Sequence, residues 1–304
     1  MKEYDVSVVV LTYHPDKHKL MQTLASIIMQ KDIKLQIVVS DDGSPVDHFD
    51  FIESWFKEIG FEDYKTVKNV QNAGTVKNVR NGLSACDGQY VKLISPGDFL
   101  AYETVLAQWI EFLRNSGSKW SFADAMYYYF EGEEFTPTES IAHPQVVSCY
   151  QKKNVGKCRK NYLLNSDICL GAATLCQREV LTEYIELIHE KVVYAEDNAY
   201  RVMVRDNIIP AYFEENVICY EYGLGISTAK NDKWKELLGR DWEATIGIML
   251  ERGTDVRKNN KFSRVLYRIK KKYFTRKTSL TYDKVYIDKI YDMSGKLEVN
   301  NAGS

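Results

Sequence analysis

No stretch of this 304-residue chain comes near the roughly 20 apolar residues that a membrane-crossing helix needs. The first apolar run, Val6 to Leu11, is interrupted at Ser7 and is too short for the core of a secretory leader. The six cysteines form no Cys-x-x-Cys pair. That argues against a zinc site and a disulfide framework, and makes reduced, mostly buried thiols of a cytoplasmic protein the expectation. Glycine is missing after the first apolar run: LTYHPDKHK does not supply the Gly-rich, basic phosphate loop that a nucleotidyltransferase would place there. Charge of one sign is also lacking, and a formal net charge of -2 argues against a whole-surface nucleic-acid binder. There is no internal repeat and no low-complexity linker.

What is present is an alternation of short apolar runs and helical stripes. Val6 to Leu11 reads as a buried strand, and Leu20, Leu24, Ile27 and Ile28 follow at helical spacing. Leu35 to Ser40 is a second strand, ending in DDGSP. Phe49, Ile52, Phe56 and Ile59 then share a helical face, and residues 65–70 form a short strand. After NAGT, the positions Val76, Val79, Leu83 and Cys86 mark a helix with Thr75 placed to cap it. Tyr90 to Ile94 is the fourth strand, and residues 104–114 are helical. This order predicts an α/β fold with a Rossmann-like, mostly parallel central sheet flanked by helices.

In such sheets ligands bind outside the carboxyl ends of the strands. Thr12-Tyr13, Asp41 to Ser44 and Pro96-Gly97-Asp98 all fall at those ends and are expected to line one crevice. Beyond residue 120 the pattern is less regular. WSFADAMYYYF reads as a strand, a loop region extends to about 165, residues 178–190 form a helix, and IIPAYF and VICYEY are strand-like. The segment 257–277, rich in Lys and Arg without an acid, carries an apolar stripe of Phe262, Val265, Leu266, Ile269 and Tyr273. Two readings stay open for it: a basic interfacial helix in peripheral membrane contact, or a solvated helix packed on the domain or on a second subunit. It has no stacking motif for RNA.

Four segments in this order, VSVVVLTYH, QIVVSDDGS, NAGTVKNVRNGLSACDGQYVKLISPGD and AEDNAYRVMV, resemble the family-2 glycosyltransferases, inverting enzymes of the GT-A fold. The resemblance covers residues 5–225. It implies a GT-A domain over 1–225, with a nucleotide-binding half at 1–115 and an acceptor half at 116–225. Residues 226–304 then hold a lid segment and a basic helical C-terminal appendage. The implied reaction moves a sugar from a nucleotide-diphosphate sugar, of UDP type, to a glycan or lipid-linked acceptor of the bacterial cell surface.

The resemblance places nucleoside recognition on Asp42 with Tyr13, assisted by Asp41 and Thr12. A plain Asp-Gly turn is the alternative reading of DDGS. It places Asp98 as ligand of a divalent cation, Mn²⁺ or Mg²⁺, which neutralises a diphosphate leaving group through hard oxygen ligands. Here the chain departs from its relatives, because Ser95, Pro96 and Gly97 stand where acids are usual, leaving the ribose to Ser95 or backbone groups. Asp98 has a second reading as the N-cap of the next helix. The general base is placed on Asp197, with Glu196 beside it and helix capping again the alternative. Asn72 belongs to a turn that positions the next helix, Arg80 is expected to face the pyrophosphate with Lys77 nearby, and Asp167 to Ala173 form a floor under the sugar. Ser227, Thr228 and Lys230 are possible phosphate contacts in the lid. The rival from another class is a catalytically silent nucleotide-sugar binding or scaffold protein, which would keep Asp42 and lose the metal acids.

Overall fold

The computed structural model describes residues 3–131, 134–142, 144–223, 232–256, 265, 269 and 282–301. The chain opens with β1 (Val6–Thr12), α1 (Lys17–Ile28), β2 (Leu35–Asp41), α2 (Phe49–Glu58), β3 (Tyr64–Lys68), α3 (Thr75–Ser84) and β4 (Tyr90–Ile94). β5 (Phe99–Leu100), α4 (Val105–Ser116), β6 (Trp120–Glu131) and β7 (Glu134–Ala142) follow, then the short helices α5 (Ser148–Gln151) and α6 (Val155–Arg159). The remaining elements are β8 (Thr174–Gln177), α7 (Arg178–Ile188), α8 (Asn198–Arg205), β9 (Ala211–Glu221), α9 (Asp232–Glu251) and a terminal helix, Lys284–Asn301.

The strands form one sheet in the order β3-β2-β1-β4-β8-β6-β9-β5, with β7 paired to β6. β1 to β4 are parallel, as expected of strands joined by helices, and β1, β2 and β4 are fully buried. The other half is mixed: β8 is antiparallel to β4 and β6, β9 runs parallel to β6, and β5 returns antiparallel to β9. The parallel character is thus confined to the β1–β4 part and the β6·β9 pair.

Alternation along β1 divides the interior into two cores. Val6, Val8 and Val10 pack with α1, α2 and α4 on one face. Val9 and Leu11 pack with α3, α7, α8 and α9 on the other. Each fully buried Val, Leu or Ile contributes roughly 1.5–3 kcal/mol, so both faces of the strand stabilise it. The terminal helix belongs to the first core: Tyr286, Ile287 and Ile290 are buried there. The Tyr286 hydroxyl donates to the Ser26 carbonyl at 2.6 Å and accepts from Gln30 Nε2 at 2.9 Å.

Three local readings are corrected. The region taken as loop up to 165 contains β7, α5 and α6. IIPAYF and VICYEY are not two strands; residues 211–221 form β9 alone, its register against β6 slipping near Asp124 so that the strand continues through Glu214 and Glu215. The cap of α3 is Gly74, not Thr75. Its φ is +90°, and a Cβ there would lie 2.4 Å from Val193 Cγ1, so only glycine lets the chain pass Val193. All six cysteines are free and buried. No described helix is long and apolar enough to cross a membrane. The basic segment lies outside the described residues, except Val265 and Ile269, which are helical and exposed.

Candidate functional site

The parallel register sets the first wall of the site. Thr12 pairs with Asp41 and Val10 with Ile94, so Tyr13, Asp42 and Ser95 leave neighbouring strands at the same edge. Thr12 and Asp41 turn inward: Thr12 Oγ1 donates to Asp41 Oδ2 at 2.8 Å. Asp41 also accepts the Ser44 N–H at 2.6 Å and the Ser44 hydroxyl at 2.7 Å. This fixes the Asp-Gly turn from within.

Asp42 faces the next loop. Its Oδ1 accepts from Asn69 Nδ2 at 2.8 Å and from the Ala73 N–H at 2.9 Å, and its Oδ2 accepts the Gly74 N–H at 2.9 Å. A carboxylate offers about four acceptor positions, so three are filled and one on Oδ2 remains. Tyr13 stands 50% exposed at the end of β1, its ring edge-on to His14 at 4.4 Å, and Asn72 is exposed on the NAG turn. An exposed ring is what a flat base contact needs.

The segment from Ser95 to Asp98 is a tight turn. The Asp98 N–H donates to the Ser95 carbonyl at 3.0 Å, and Gly97 has φ +96°, the conformation that the third residue of a Pro-Gly type II turn requires. Elements distant in sequence pin this turn. Thr23 of α1 accepts the Gly97 N–H at 3.1 Å and donates to the Asp98 carbonyl at 2.7 Å, and the Tyr128 hydroxyl donates to the Gly97 carbonyl. Asp98 is not a helix cap: α4 is capped at Thr104. Its Oδ1 instead accepts the Glu221 N–H at 3.2 Å. Burial pushes its carboxyl up to about 7, against the opposing pull of the Glu221 N–H and the Lys92 ammonium.

Glu221, at the end of β9, was not anticipated from the sequence. Lys19 of α1 grips its carboxylate at 2.6 and 2.8 Å. A Cβ on residue 97 would lie 2.6 Å from Glu221 Oε2, so the glycine leaves room for a carboxylate delivered from another strand. Beneath them Lys92, fully buried on β4, donates to the carbonyls of Leu93 at 2.6 Å and Ala172 at 2.5 Å. Burial drives its ammonium down to about 7, opposed by Asp98. The Lys92 bond fastens the floor segment 171–173 to the central sheet.

Gly171 in that floor packs against Glu196 and Asp197. Asp197 occupies the N-cap position of α8 but makes no capping hydrogen bond. Burial, then the neighbouring Asp197 charge, pushes Glu196 up to about 8. Burial also raises Asp197, and Arg201, one turn along α8, opposes that rise. Two adjacent carboxyls thus share one end of α8, both raised by burial, and the Arg201 charge opposes that rise at Asp197.

The structure therefore gathers Thr12, Tyr13, Asp41, Asp42, Ser95, Gly97 and Asp98 at one sheet edge. It links them to Glu196 and Asp197 through Lys92 and the floor, and through the Val76 N–H, which donates to the Val193 carbonyl at 3.0 Å. Asp167 sits below, accepting the N–H groups of Gln145 at 2.7 Å and Val146 at 3.0 Å. Arg80 stands apart: its guanidinium pairs with Glu186 of α7 at 2.6 Å on the exposed face. Ser227, Thr228 and Lys230 lie outside the described residues. No group of three or more metal-ligating side chains is assembled among the described residues.

In an open α/β sheet of this kind ligands bind outside the carboxyl ends of the strands, where these acids collect. The model of glycosyl transferase family 2 matches residues 7–185, more than half of the chain, and the protein belongs to that family. No curated protein sequence matches it. Among solved structures it is similar to the mannosyltransferase PcManGT from Pyrobaculum calidifontis, in complex with GDP-Man and Mn²⁺. That match has a TM-score of 0.58 at 12% identity over 99% of this chain and 88% of the other. It is also similar to S. aureus TarS 1-349 in complex with UDP, with a TM-score of 0.52 at 15% identity over 97% and 92% of the two chains. Against a longer S. aureus TarS structure the match has a TM-score of 0.52 at 16% identity; it covers 96% of this chain and spans only 55% of that one. At these identities the likeness is one of fold, the GT-A architecture.

Proposed function

We propose that the protein transfers a sugar from a nucleotide-diphosphate sugar to a hydroxyl acceptor with inversion. The observation that carries this reading is the Glu196–Asp197 pair, two adjacent carboxyls both raised by burial and set against Gly171 in the floor that Lys92 ties to the sheet. In the proposed step Asp197 takes the proton of the acceptor hydroxyl while the oxygen attacks the anomeric carbon. The bond from that carbon to the diphosphate breaks on the opposite face, and the nucleoside diphosphate leaves. Glu196, protonated, orients the acceptor by donating its own hydrogen bond.

On the donor side, the free acceptor position of Asp42 Oδ2 suits a base that presents a ring N–H, as uracil and guanine do. Tyr13 supplies the flat contact, and Thr12, Asp41 and Asn72 hold the shape of that wall. Ser95, exposed at the strand end, is the group in place for the ribose. Asp98 and Glu221 offer hard oxygen donors of the kind a divalent cation takes: Asp98 has one oxygen engaged by a single N–H, and the Glu221 carboxylate, which such a cation would share with Lys19, fills the space beside Gly97. These two residues would hold Mn²⁺ or Mg²⁺, leaving coordination places for phosphate oxygens. Such a cation, when bound, supplies positive charge for the departing diphosphate. That PcManGT was solved with GDP-Man and Mn²⁺, and TarS with UDP, supports both the cation and the donor class. The acceptor is proposed to be a glycan or lipid-linked carrier.

The test is release of UDP or GDP from UDP-GlcNAc and GDP-mannose, with and without added acceptor sugars. The wild type should turn over one of them, and Asp197→Asn should lose roughly 100- to 10,000-fold in kcat, the span that general-base catalysis supplies. Nucleotide binding without turnover in either protein would favour the silent scaffold reading instead.

A further inference from the structure

The loop that delivers the acid pair is held by a residue from a distant helix. Three successive backbone N–H groups converge on the Asp241 carboxylate of α9: Val193 at 3.0 Å to Oδ1, Tyr194 at 2.6 Å and Ala195 at 2.8 Å to Oδ2. Asp241 is only 3% exposed, so these bonds are shielded from water. They end one residue before Glu196. The opposite side of the same loop is tied to α3, because the Val193 carbonyl accepts from Val76 and the Val193 side chain packs on Gly74.

Two further contacts come from the same helix. Trp242, next to Asp241, lies under the Arg201 guanidinium at 4.4 Å, and Arg201 is the cation that faces Asp197. Trp234 meets the Tyr194 ring edge-on at 5.3 Å. One helix face therefore grips the backbone before the acid pair, a ring within the loop and the cation beside Asp197.

We propose that Asp241 is a positioning residue that sets the place of Glu196 and Asp197 by gathering the amides of residues 193–195. It rests on the proposed function insofar as the pair does chemistry. It adds that the pair's geometry is fixed from α9 rather than by the α8 cap, which makes no side-chain hydrogen bond. A carboxylate receiving three amides is a strong, charge-assisted anchor that an amide side chain of equal size cannot reproduce, because its NH₂ group would face N–H donors.

The experiment compares wild type with Asp241→Asn and Asp241→Ala by hydrogen exchange and by donor hydrolysis, using UDP-GlcNAc and GDP-mannose as probes. Amides 193–195 should be protected in the wild type and exchange about tenfold or more faster in both variants, with the sheet strands unchanged. In the protein that hydrolyses a donor, kcat should fall roughly 10- to 100-fold while donor KM stays within about twofold, the signature of a displaced reacting group. Unchanged protection at 193–195, or kcat per folded molecule equal to wild type, would overturn the inference. So would faster exchange spread evenly over the whole chain, which marks a merely structural acid. If the wild type hydrolyses neither donor, that failure belongs to the proposed function, and exchange alone decides the role of Asp241.

Discussion

Two sets of acids occupy this protein, and they behave differently. Asp41, Asp42, Asp167 and Asp241 each gather two or more donors, mostly backbone N–H groups of nearby or distant loops. Asp98, Glu196 and Asp197 are acids that burial pushes up; Asp98 accepts one N–H from another strand, that of Glu221, and Asp197 makes no side-chain cap of α8. The first set shapes the walls by holding turns. The second set meets fewer donors, and burial disfavours its charged form. Asp41 and Asp42 lie at a strand end, as Asp98 does after its own strand, so position in the chain does not separate the sets; the partner count does.

The largest effect that would sharpen this contrast is expected from Asp42→Ala. It strands the N–H groups of Ala73 and Gly74 and the Asn69 amide, at about 1–3 kcal/mol for each buried group left unpaired. Thermal melts should fall by several degrees, and nucleotide binding should weaken with them. A variant as stable as wild type would show that Asp42 belongs to the second set.

A smaller effect follows from pH. Glu196 rises in the folded protein from an ordinary value of 4.5 to about 8. The folded state then binds the extra proton, so its contribution is complete below the unfolded value and is lost as pH rises through the folded one. Glu196→Gln, permanently neutral, should melt with wild type at about pH 4 and above it at about pH 9, by roughly 2–4 °C for each kcal/mol. Equal melting at both values would place Glu196 in water rather than in a desolvated pair.

The smallest effect is expected from Arg80→Ala. A half-exposed pair with Glu186 is worth about 0–1 kcal/mol, so melting should barely move and nucleotide affinity should hold. A tenfold loss of UDP or GDP affinity would show that Arg80 leaves Glu186 to reach the phosphates.

Much of this was legible in the sequence, for identifiable reasons. β1, β2 and β4 are apolar runs closed by polar turns, and β3 occupies most of its expected span. The Pro96-Gly97 turn announces itself by composition. What was hidden depends on contacts that no spacing encodes. Thr23 bonds Asp98 across 75 positions and Glu221 bonds it across 123. β5 has only two residues and no pattern to read, and it exists because Phe99 pairs with Cys219. Asp241 lies in an amphipathic helix with no motif around it, and its role appears only where three amides meet it. The likeness to relatives pointed to Asp98 and Asp197, whereas Glu221, which fills the space beside Gly97, gave no sign in the sequence.

The central claim is that Asp98 serves the diphosphate through a divalent cation. Calorimetric titration of UDP and GDP into wild type and Asp98→Asn, with and without Mn²⁺, tests it directly. The account predicts that one nucleotide binds only with Mn²⁺ and that Asp98→Asn weakens this binding tenfold or more, about 1.4 kcal/mol, without lowering the melting temperature. Binding that ignores the cation and is equal in both proteins would contradict it and return Asp98 to the scaffold.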